Sequence, residues 1–167
     1  MSLSLHEASI GLMAPMLRNL STLLGKGGDH IAAKGLDPAT LTDARLAPDM
    51  LPFTRQVYIA TDTAKGCAAR LAGVENPVYP DVETTIPDLQ ARIAKTIAFL
   101  ESVDETTVSA ADDKAIQLKF PNSTMDFTGK SYVTNFVLPN FYFHVSMAYA
   151  LLRAAGVEIG KRDYLGG

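Results

Sequence analysis

The strongest hydrophobic pattern in the chain lies between Ser131 and Gly156. Residues spaced three and four positions apart share one side of an α-helix. Seven residues follow this spacing: Val133, Val137, Asn140, His144, Ala148, Leu151 and Ala155. Aromatic residues occupy the other sides, so we expect this helix to be central in its domain. Ser131 is its expected cap and Gly156 its expected end, while Pro139 either kinks the helix beside Asn140 or marks its true beginning.

The same periodicity predicts a first helix from Ser4 to Lys26. Ser4 and Glu7 have the spacing of a capping box, in which each residue satisfies a backbone N–H near the start of the helix. Pro15 lies inside the pattern and predicts a kink or a restart. The glycines of the segment GKGG, residues 25–28, are expected to end the helix. A connector with a short helical turn follows.

Two more helices occupy the middle of the chain. The second is predicted from about Pro52 to Ala72, with Gly73 closing it. The third begins after Thr85, which can cap it, and stops near Val103. Its apolar stripe predicts one buried side, and Arg92 is assigned to the solvent side.

Between Asp104 and Lys130 the apolar period changes from that of a helix to that of a strand. Ile116, Leu118 and Phe120 alternate with polar residues, and a similar alternation follows a Pro-Asn turn, which predicts a β-hairpin. The fold class is therefore all-α: a four-helix bundle with a small β-hairpin between helices 3 and 4. We expect residues 1–167 to form a single domain.

The composition of the chain argues against some classes of function. A chain of 167 residues with 47% hydrophobic and 20% charged residues can bury roughly 70% of its unfolded surface. A formal charge of −3 argues against a nucleic-acid partner, which would favour a basic surface. No apolar run reaches the ~18 residues of a membrane span, and the N-terminus lacks a basic leader, so we expect a cytoplasmic protein with no membrane partner. The single cysteine, Cys67, is interpreted as a core residue or, alternatively, a nucleophile beside a histidine.

The candidate site begins with the two polar members of the fourth-helix stripe, Asn140 and His144, which are one turn apart. On the second helix Arg55, Tyr58 and Asp62 share one side with Gly66, and the small neighbours leave room beside the Asp62 carboxylate. These five side chains are the ligand-pocket candidates: Arg55, Tyr58, Asp62, Asn140 and His144. The simpler interpretations are an exposed ion pair between Asp62 and Lys65, and a buried hydrogen-bonded cluster of Asn140 and His144 with Asp62.

Two segments carry a resemblance to a known family: LAPDMLPFTRQVYIATDTAKGCAARLAG and FVLPNFYFHVSMAYALLRAAGVEIGKRDYLG. The chain resembles an uncharacterised, mainly bacterial family within the DinB/YfiT-like metalloenzyme superfamily, over nearly its whole length. In that superfamily the last helix carries H-x-x-x-H before a Leu-Arg-x-x-Gly end. Here that end is Leu152, Arg153 and Gly156, so the second histidine falls on His144 and the first on Asn140. A third histidine, from the second helix, falls at or near Asp62.

The resemblance implies a metal-site position held here by His144, Asp62 and Asn140. Three imidazoles suit Zn²⁺ or Ni²⁺, whereas this harder set is more compatible with Mn²⁺, Fe²⁺ or Zn²⁺ and binds such ions less tightly. One hypothesis is therefore a structural or small-ligand-binding homodimer in which the metal site has degenerated. The alternative is a metal-dependent enzyme, similar to a thiol transferase or a hydrolase, with Tyr58 or Arg55 orienting an anionic substrate.

Overall fold

The computed structural model describes residues 3–167. Helices account for most of this part of the chain, and two strands form one antiparallel hairpin. The elements in chain order are α1 (Leu5–Ala8), α2 (Ile10–Ala33), α3 (Ala39–Thr42), α4 (Phe53–Ala72), α5 (Ile86–Ser102), α6 (Glu105–Ser109), β1 (Ala115–Phe120), β2 (Ser123–Thr128), α7 (Gly129–Tyr132), a π-helical segment (Val133–Val137), α8 (Leu138–Ala154) and α9 (Lys161–Tyr164).

The four long helices, α2, α4, α5 and α8, pack in a ring around one hydrophobic core. Each neighbouring pair is in contact: α2 with α5, α5 with α4, α4 with α8, and α8 with α2. Fully buried side chains from all four helices fill the centre, among them Leu17, Phe53, Leu89 and Phe141. Of the helices in the described residues, none is both long enough and apolar enough to cross a membrane.

The beginning of the chain differs from its prediction in two ways. The capping box of Ser4 and Glu7 is present, but it caps only the short α1. The break comes at Ser9, before Pro15, and Pro15 lies inside the continuous α2. The prediction that residues 25–28 end the helix is wrong, because α2 continues to Ala33 and the left-handed glycine that follows is Gly35.

Close packing explains one of the glycines inside α2. A Cβ atom on Gly27 would lie 2.6 Å from a methyl group of Leu152 on α8 and 3.2 Å from one of Leu41 on α3. A glycine in a helix interior costs about 1 kcal/mol relative to alanine. At Gly27 this cost is offset because α2 and α8 can approach closely.

The two middle helices agree with the sequence pattern. Helix α4 runs from Phe53 to Ala72 and is closed by Gly73, whose φ of 75° is the left-handed conformation that glycine tolerates. Helix α5 is capped by Thr85, whose hydroxyl accepts a hydrogen bond from the Asp88 backbone N–H. The connector contains α3 as the predicted helical turn, whereas the short α6 after α5 was not anticipated.

The hairpin pairs Ile116 with Phe127 and Leu118 with Met125. Its chain leads directly into α7, where the prediction of Ser131 as the cap is wrong: Thr128 caps the helix, and Ser131 completes the capping box. A π-helical segment then precedes Pro139, which lies in the first turn of α8 and leaves that helix unbroken. The alternative in which the helix begins at Pro139 is wrong, because helical backbone runs without a gap from Gly129 through the π-helical segment into α8.

Candidate functional site

His144 lies buried between α8 and α4. Its side chain is on the predicted stripe, and the residue is 8% exposed. The ring Nδ1 lies 2.8 Å from Oε1 of Gln56, on the first part of α4. Burial lowers the pKa of His144, so the neutral ring is favoured near pH 7.

Asn140 lies one turn earlier on α8 and is half-buried. Its Nδ2 donates a hydrogen bond of 2.7 Å to the hydroxyl oxygen of Thr63 on α4. The helices α4 and α8 are therefore joined by two uncharged polar pairs, Gln56 with His144 and Thr63 with Asn140.

Asp62 is directed to another set of partners. One of its carboxylate oxygens lies 2.9 Å from a guanidinium nitrogen of Arg92 on α5 and 3.3 Å from the ammonium of Lys65. The pair of Asp62 with Lys65 was expected from the sequence, but Lys65 is buried, with 7% of its side chain exposed. The hydrogen bonds and ion pairs of Asp62, Asn140 and His144 do not join these three residues to one another.

The assignment of Arg92 to the solvent side is wrong, because its side chain is 1% exposed. Its guanidinium pairs with three carboxylates: Nη2 with those of Asp62 at 2.9 Å and Asp81 at 3.1 Å, and Nη1 with that of Glu83 at 3.1 Å. Its Nε also donates to the hydroxyl oxygen of Thr61 at 2.9 Å. We call this group, with Lys65 and Arg55, the Arg92 cluster.

Two tyrosines cover the Arg92 guanidinium. The ring centroids of Tyr58 and Tyr79 lie 4.6 Å and 5.5 Å from its central carbon, in the range of cation–π contacts. The hydroxyl of Tyr58 donates to the backbone carbonyl of Glu83, and burial raises the pKa of this phenol. Arg55 pairs with Asp81. Arg55 and Tyr58, the two predicted pocket residues on this side of α4, therefore contact members of the Arg92 cluster.

A spacing in α5 could have identified Arg92. It stands three residues after Leu89 and four before Thr96, both of which are buried, so it continues the buried stripe. The loop 74–85 supplies Asp81 and Glu83 from a different part of the sequence. Because the bends of that loop have no simple periodicity, its contact with Arg92 was not visible in the pattern.

A cleft of about 250 Å³ opens between α4, β1 and the helical stretch that runs from the end of α7 through the π-helical segment to the first turn of α8. It brings together two of the predicted site residues, Asp62 and Asn140, and leaves out His144, Arg55 and Tyr58. The residues that line it are Asp62, Thr63, Arg70, Gln117, Leu118, Lys119, Phe120, Tyr132, Phe136 and Asn140. We call it the α4–hairpin cleft.

A larger groove, of about 440 Å³, lies between the second half of α2 and the beginning of α5. Its walls are mainly apolar, with Leu36, Leu41 and Ile86 among them. It contains none of the five ligand-pocket candidates that the sequence predicted. The α4–hairpin cleft is smaller, but it combines charged, amide, hydroxyl and aromatic groups, which a selective site requires.

The side chains at the implied metal position do not fit a resident metal ion. In residues 3–167 no group of three or more histidine, cysteine, aspartate or glutamate side chains is placed to hold one. The Nδ1 of His144 is paired with Gln56, and Asp62 already neutralises two cations. An amide such as that of Asn140 is a weak neutral ligand, so it cannot replace the missing donors.

Cys67 is buried in the core on α4. Desolvation raises its pKa to about 12, although the nearby Arg70 opposes part of this effect. A thiol with such a pKa is protonated near pH 7, and it is the thiolate that reacts. The interpretation of Cys67 as a core residue is therefore favoured over that of a nucleophile.

Comparison with known proteins places the chain in a family. Residues 5–165 match the family described as a domain of unknown function, DUF1993. The chain is also similar to a DinB family member protein from Shewanella denitrificans, whose crystal structure superposes with a TM-score of 0.87 at 37% sequence identity. The similarity covers 98% of this chain and 92% of that one. No curated protein matches the chain. The chain therefore belongs to the DUF1993 family, an uncharacterised family with a DinB-like fold.

Proposed function

We propose that this protein binds a small organic molecule in the α4–hairpin cleft without a resident metal ion. The four long helices act as the scaffold, in the manner of the DinB-like four-helix bundle, and the hairpin forms one wall of the site. The observation that carries the proposal is the position of Asp62 and Asn140. They come from different helices, and both line one cleft.

The polar lining of the cleft retains hydrogen-bonding capacity. Asn140 uses one amide hydrogen for Thr63, and among residues 3–167 neither its carbonyl oxygen nor the Thr63 hydroxyl hydrogen has another partner. Groups of this kind fix the orientation of a ligand in an otherwise apolar pocket. The cleft is therefore better suited to recognising an organic molecule than to filling a purely structural role.

The alternative from the sequence, a metal-dependent thiol transferase or hydrolase-like enzyme, requires an ion at His144, Asp62 and Asn140. These side chains have separate partners, and Asp62 is occupied by Arg92 and Lys65. A metal-activated water or thiol would then have no complete set of ligands. The metal-free binding protein is the better supported of the two functions.

A homodimer remains a prediction. In its support, Phe143 on α8 is 51% exposed, so its ring is accessible to a second copy of the chain. If α8 forms the dimer contact, light scattering will give a dimer for the natural protein and a monomer for Phe143→Ser. Val82→Ser, at another exposed apolar residue, is the control and should leave the dimer intact.

The binding proposal can be tested with untagged protein purified without a nickel column. Its metal content should stay far below one ion per chain after exposure to Zn²⁺, Mn²⁺, Fe²⁺ or Ni²⁺. A library of small organic acids, amines and neutral compounds is then added during two-dimensional NMR. We expect some members to shift the backbone signals of Thr63, Leu118 and Phe120 and to leave those of Leu36 and Ile86, in the larger groove, unchanged.

Asn140→Leu should weaken this response, because it removes the amide from the cleft. Asn135→Leu, at an exposed position of the π-helical segment, is the matched control. A library that never shifts the cleft signals would overturn the proposal. Stoichiometric metal that perturbs the His144 ring would overturn it as well.

A further inference from the structure

The lining of the α4–hairpin cleft contains one carboxylate, that of Asp62, but this carboxylate does not make the cleft negative. The Arg92 cluster contains three cations, Arg92, Lys65 and Arg55, and three carboxylates, those of Asp62, Asp81 and Glu83. The charge of Asp62 is therefore compensated by Arg92 and Lys65, neither of which lines the cleft. This leaves the two cations that line the cleft, Arg70 and Lys119, to set its electrostatic character.

In residues 3–167 neither Arg70 nor Lys119 forms an ion pair. The guanidinium of Arg70 donates one hydrogen bond, of 3.0 Å, to the hydroxyl oxygen of Tyr132. Burial raises the pKa of this phenol to about 12, so Tyr132 is a neutral partner that leaves the charge of Arg70 intact. A planar guanidinium with unused N–H groups is the side chain best matched to a carboxylate, which it binds through two parallel hydrogen bonds.

Gly66 provides the space that the Arg70 guanidinium occupies. A Cβ atom at position 66 would lie 2.5 Å from Nη1 of Arg70, so any other residue would displace the guanidinium. Gly66 is inside α4, where glycine costs about 1 kcal/mol relative to alanine. The colliding atom belongs to the end of a flexible side chain, so backbone packing does not require this glycine. Its effect is to leave room for the Arg70 guanidinium beside the cleft.

Another part of the lining is aromatic. The rings of Tyr132 and Phe136 are stacked, with centroids 6.1 Å apart and an interplanar angle of 13°. Phe120, on β1, meets Phe136 at 6.4 Å and is 43% exposed, although it is a large apolar residue. An aromatic wall of this kind favours an aromatic ring in the ligand, which can pack against these rings in a stacked or tilted arrangement.

We infer that the ligand of the α4–hairpin cleft is a small aromatic carboxylate, with its carboxylate on Arg70 and its ring against Phe120 and Phe136. Lys119 adds a second positive charge at the open side of the cleft. The volume of about 250 Å³ is below the usual range for drug-sized ligands, so the molecule has one ring. This inference rests on the proposed binding function and adds the class of ligand to it.

The test compares phenylacetate with phenylacetamide, which has the same shape and no charge, and with acetate, which has no ring. Affinities are measured by NMR titration of the Leu118 and Phe120 signals. We expect phenylacetate to bind at least about tenfold more tightly than either of the others, because a charge-assisted bidentate contact and ring burial both contribute. Equal binding of the acid and the amide would overturn the carboxylate, and equal binding of acetate would overturn the aromatic part.

Variants separate the role of Arg70 from a general loss of charge. Arg70→Gln should reduce the affinity for phenylacetate to that for the amide, and Arg70→Lys should restore it only in part, because lysine lacks the planar fork. Arg18→Gln, at an exposed arginine on α2, should change neither affinity. Full phenylacetate binding by a folded Arg70→Gln variant would contradict the inference.

Gly66→Ala provides an independent check, because it displaces the guanidinium without removing the charge. We expect a more stable protein, as judged by its unfolding temperature, that nevertheless binds phenylacetate several-fold more weakly. Unchanged binding would contradict the positioning role of Gly66. The class of ligand can fail while the proposed function stands, as when amides and acids shift the cleft signals equally. Only the absence of any response from the library would make both fail.

Discussion

Helix α4 forms polar contacts of two different kinds, one with α8 and the other with α5. Toward α8 the helix presents Gln56 and Thr63, which form uncharged hydrogen-bonded pairs with His144 and Asn140. Toward α5 it presents Asp62, which joins the ionic Arg92 cluster. Adjacent residues of one helix thus enter unrelated networks, because consecutive side chains point about 100° apart.

This difference explains why the side chains at the implied metal position do not form a set of metal ligands. A carboxylate near an imidazole could complete a ligand set, but the Asp62 carboxylate is paired with Arg92 and Lys65. A buried guanidinium is always charged and needs anions around it. Because Arg92 is buried, the Asp62 carboxylate is one of the anions that balance its charge.

The largest effect should come from breaking the ionic side. Arg92→Met leaves the carboxylates of Asp62, Asp81 and Glu83 without their common partner. Breaking a buried ion pair costs about 3–5 kcal/mol, and these carboxylates keep some contact with water, so we expect a loss of about 3 kcal/mol in the free energy of unfolding. Chemical denaturation in urea measures it.

The matched control is Arg18→Met, which breaks an exposed ion pair with Glu101. Exposed pairs contribute less than about 1 kcal/mol, so this variant should remain close to the natural protein. If Arg92→Met proved as stable as Arg18→Met, the Arg92 cluster could not be a major stabilising element.

The uncharged side should respond less. Gln56→Leu leaves Nδ1 of the buried His144 without a hydrogen-bond partner, which costs about 2 kcal/mol. Gln90→Leu is the comparison, because Gln90, like Gln56, donates its amide to a backbone carbonyl but pairs with no buried ring. A loss for Gln56→Leu no greater than that for Gln90→Leu would show that the pair with His144 adds nothing.

The smallest effect concerns pH. The pKa of His144 in the folded protein lies below its ordinary value of 6.5, so the unfolded chain binds the proton more readily. Stability due to the neutral ring is complete above about pH 6.5 and is lost as the pH falls through the lower, folded pKa. The free energy of unfolding should therefore decrease between pH 7.5 and 5.5.

Urea denaturation at several pH values measures this slope in the natural protein and in His144→Gln, which cannot titrate at this position. We expect a shallower slope in the variant. His6→Gln, at a more exposed histidine on α1, serves as the reference. Identical slopes in all three proteins would rule out a contribution of His144 to the pH dependence.

The long helices could be predicted because burial imposes a period that is visible in one dimension. The limits of α4 at Phe53 and Gly73 follow from local apolar spacing and a glycine cap. The continuation of α2 past Gly27 could not be predicted, because the reason for that glycine is a methyl group of Leu152, over a hundred residues away in sequence. Local glycine preference favoured an end, and tertiary packing overrode it.

The candidate site, too, could be predicted where local spacing decides and not where tertiary packing decides. Periodicity placed His144 on the inner stripe of its helix, and the residue is buried. The partners of His144 and Asp62 depend on the relative rotation of three helices and on the path of the loop 74–85. No spacing within one helix contains that information. Arg92 was assigned to the solvent side because it carries a charge, although its position in the stripe favoured burial.

The π-helical segment at Val133–Val137 has a consequence for how the cleft arose. In an α-helix each added residue rotates everything after it by about 100°. The wider turn, in which the Leu138 N–H bonds to the Val133 carbonyl, accommodates one extra residue without unwinding α8. A relative that lacks one residue in this turn would keep its helix but aim Tyr132 and Phe136 elsewhere relative to Asn140. One residue in this turn therefore decides whether Tyr132 and Phe136 point into the cleft.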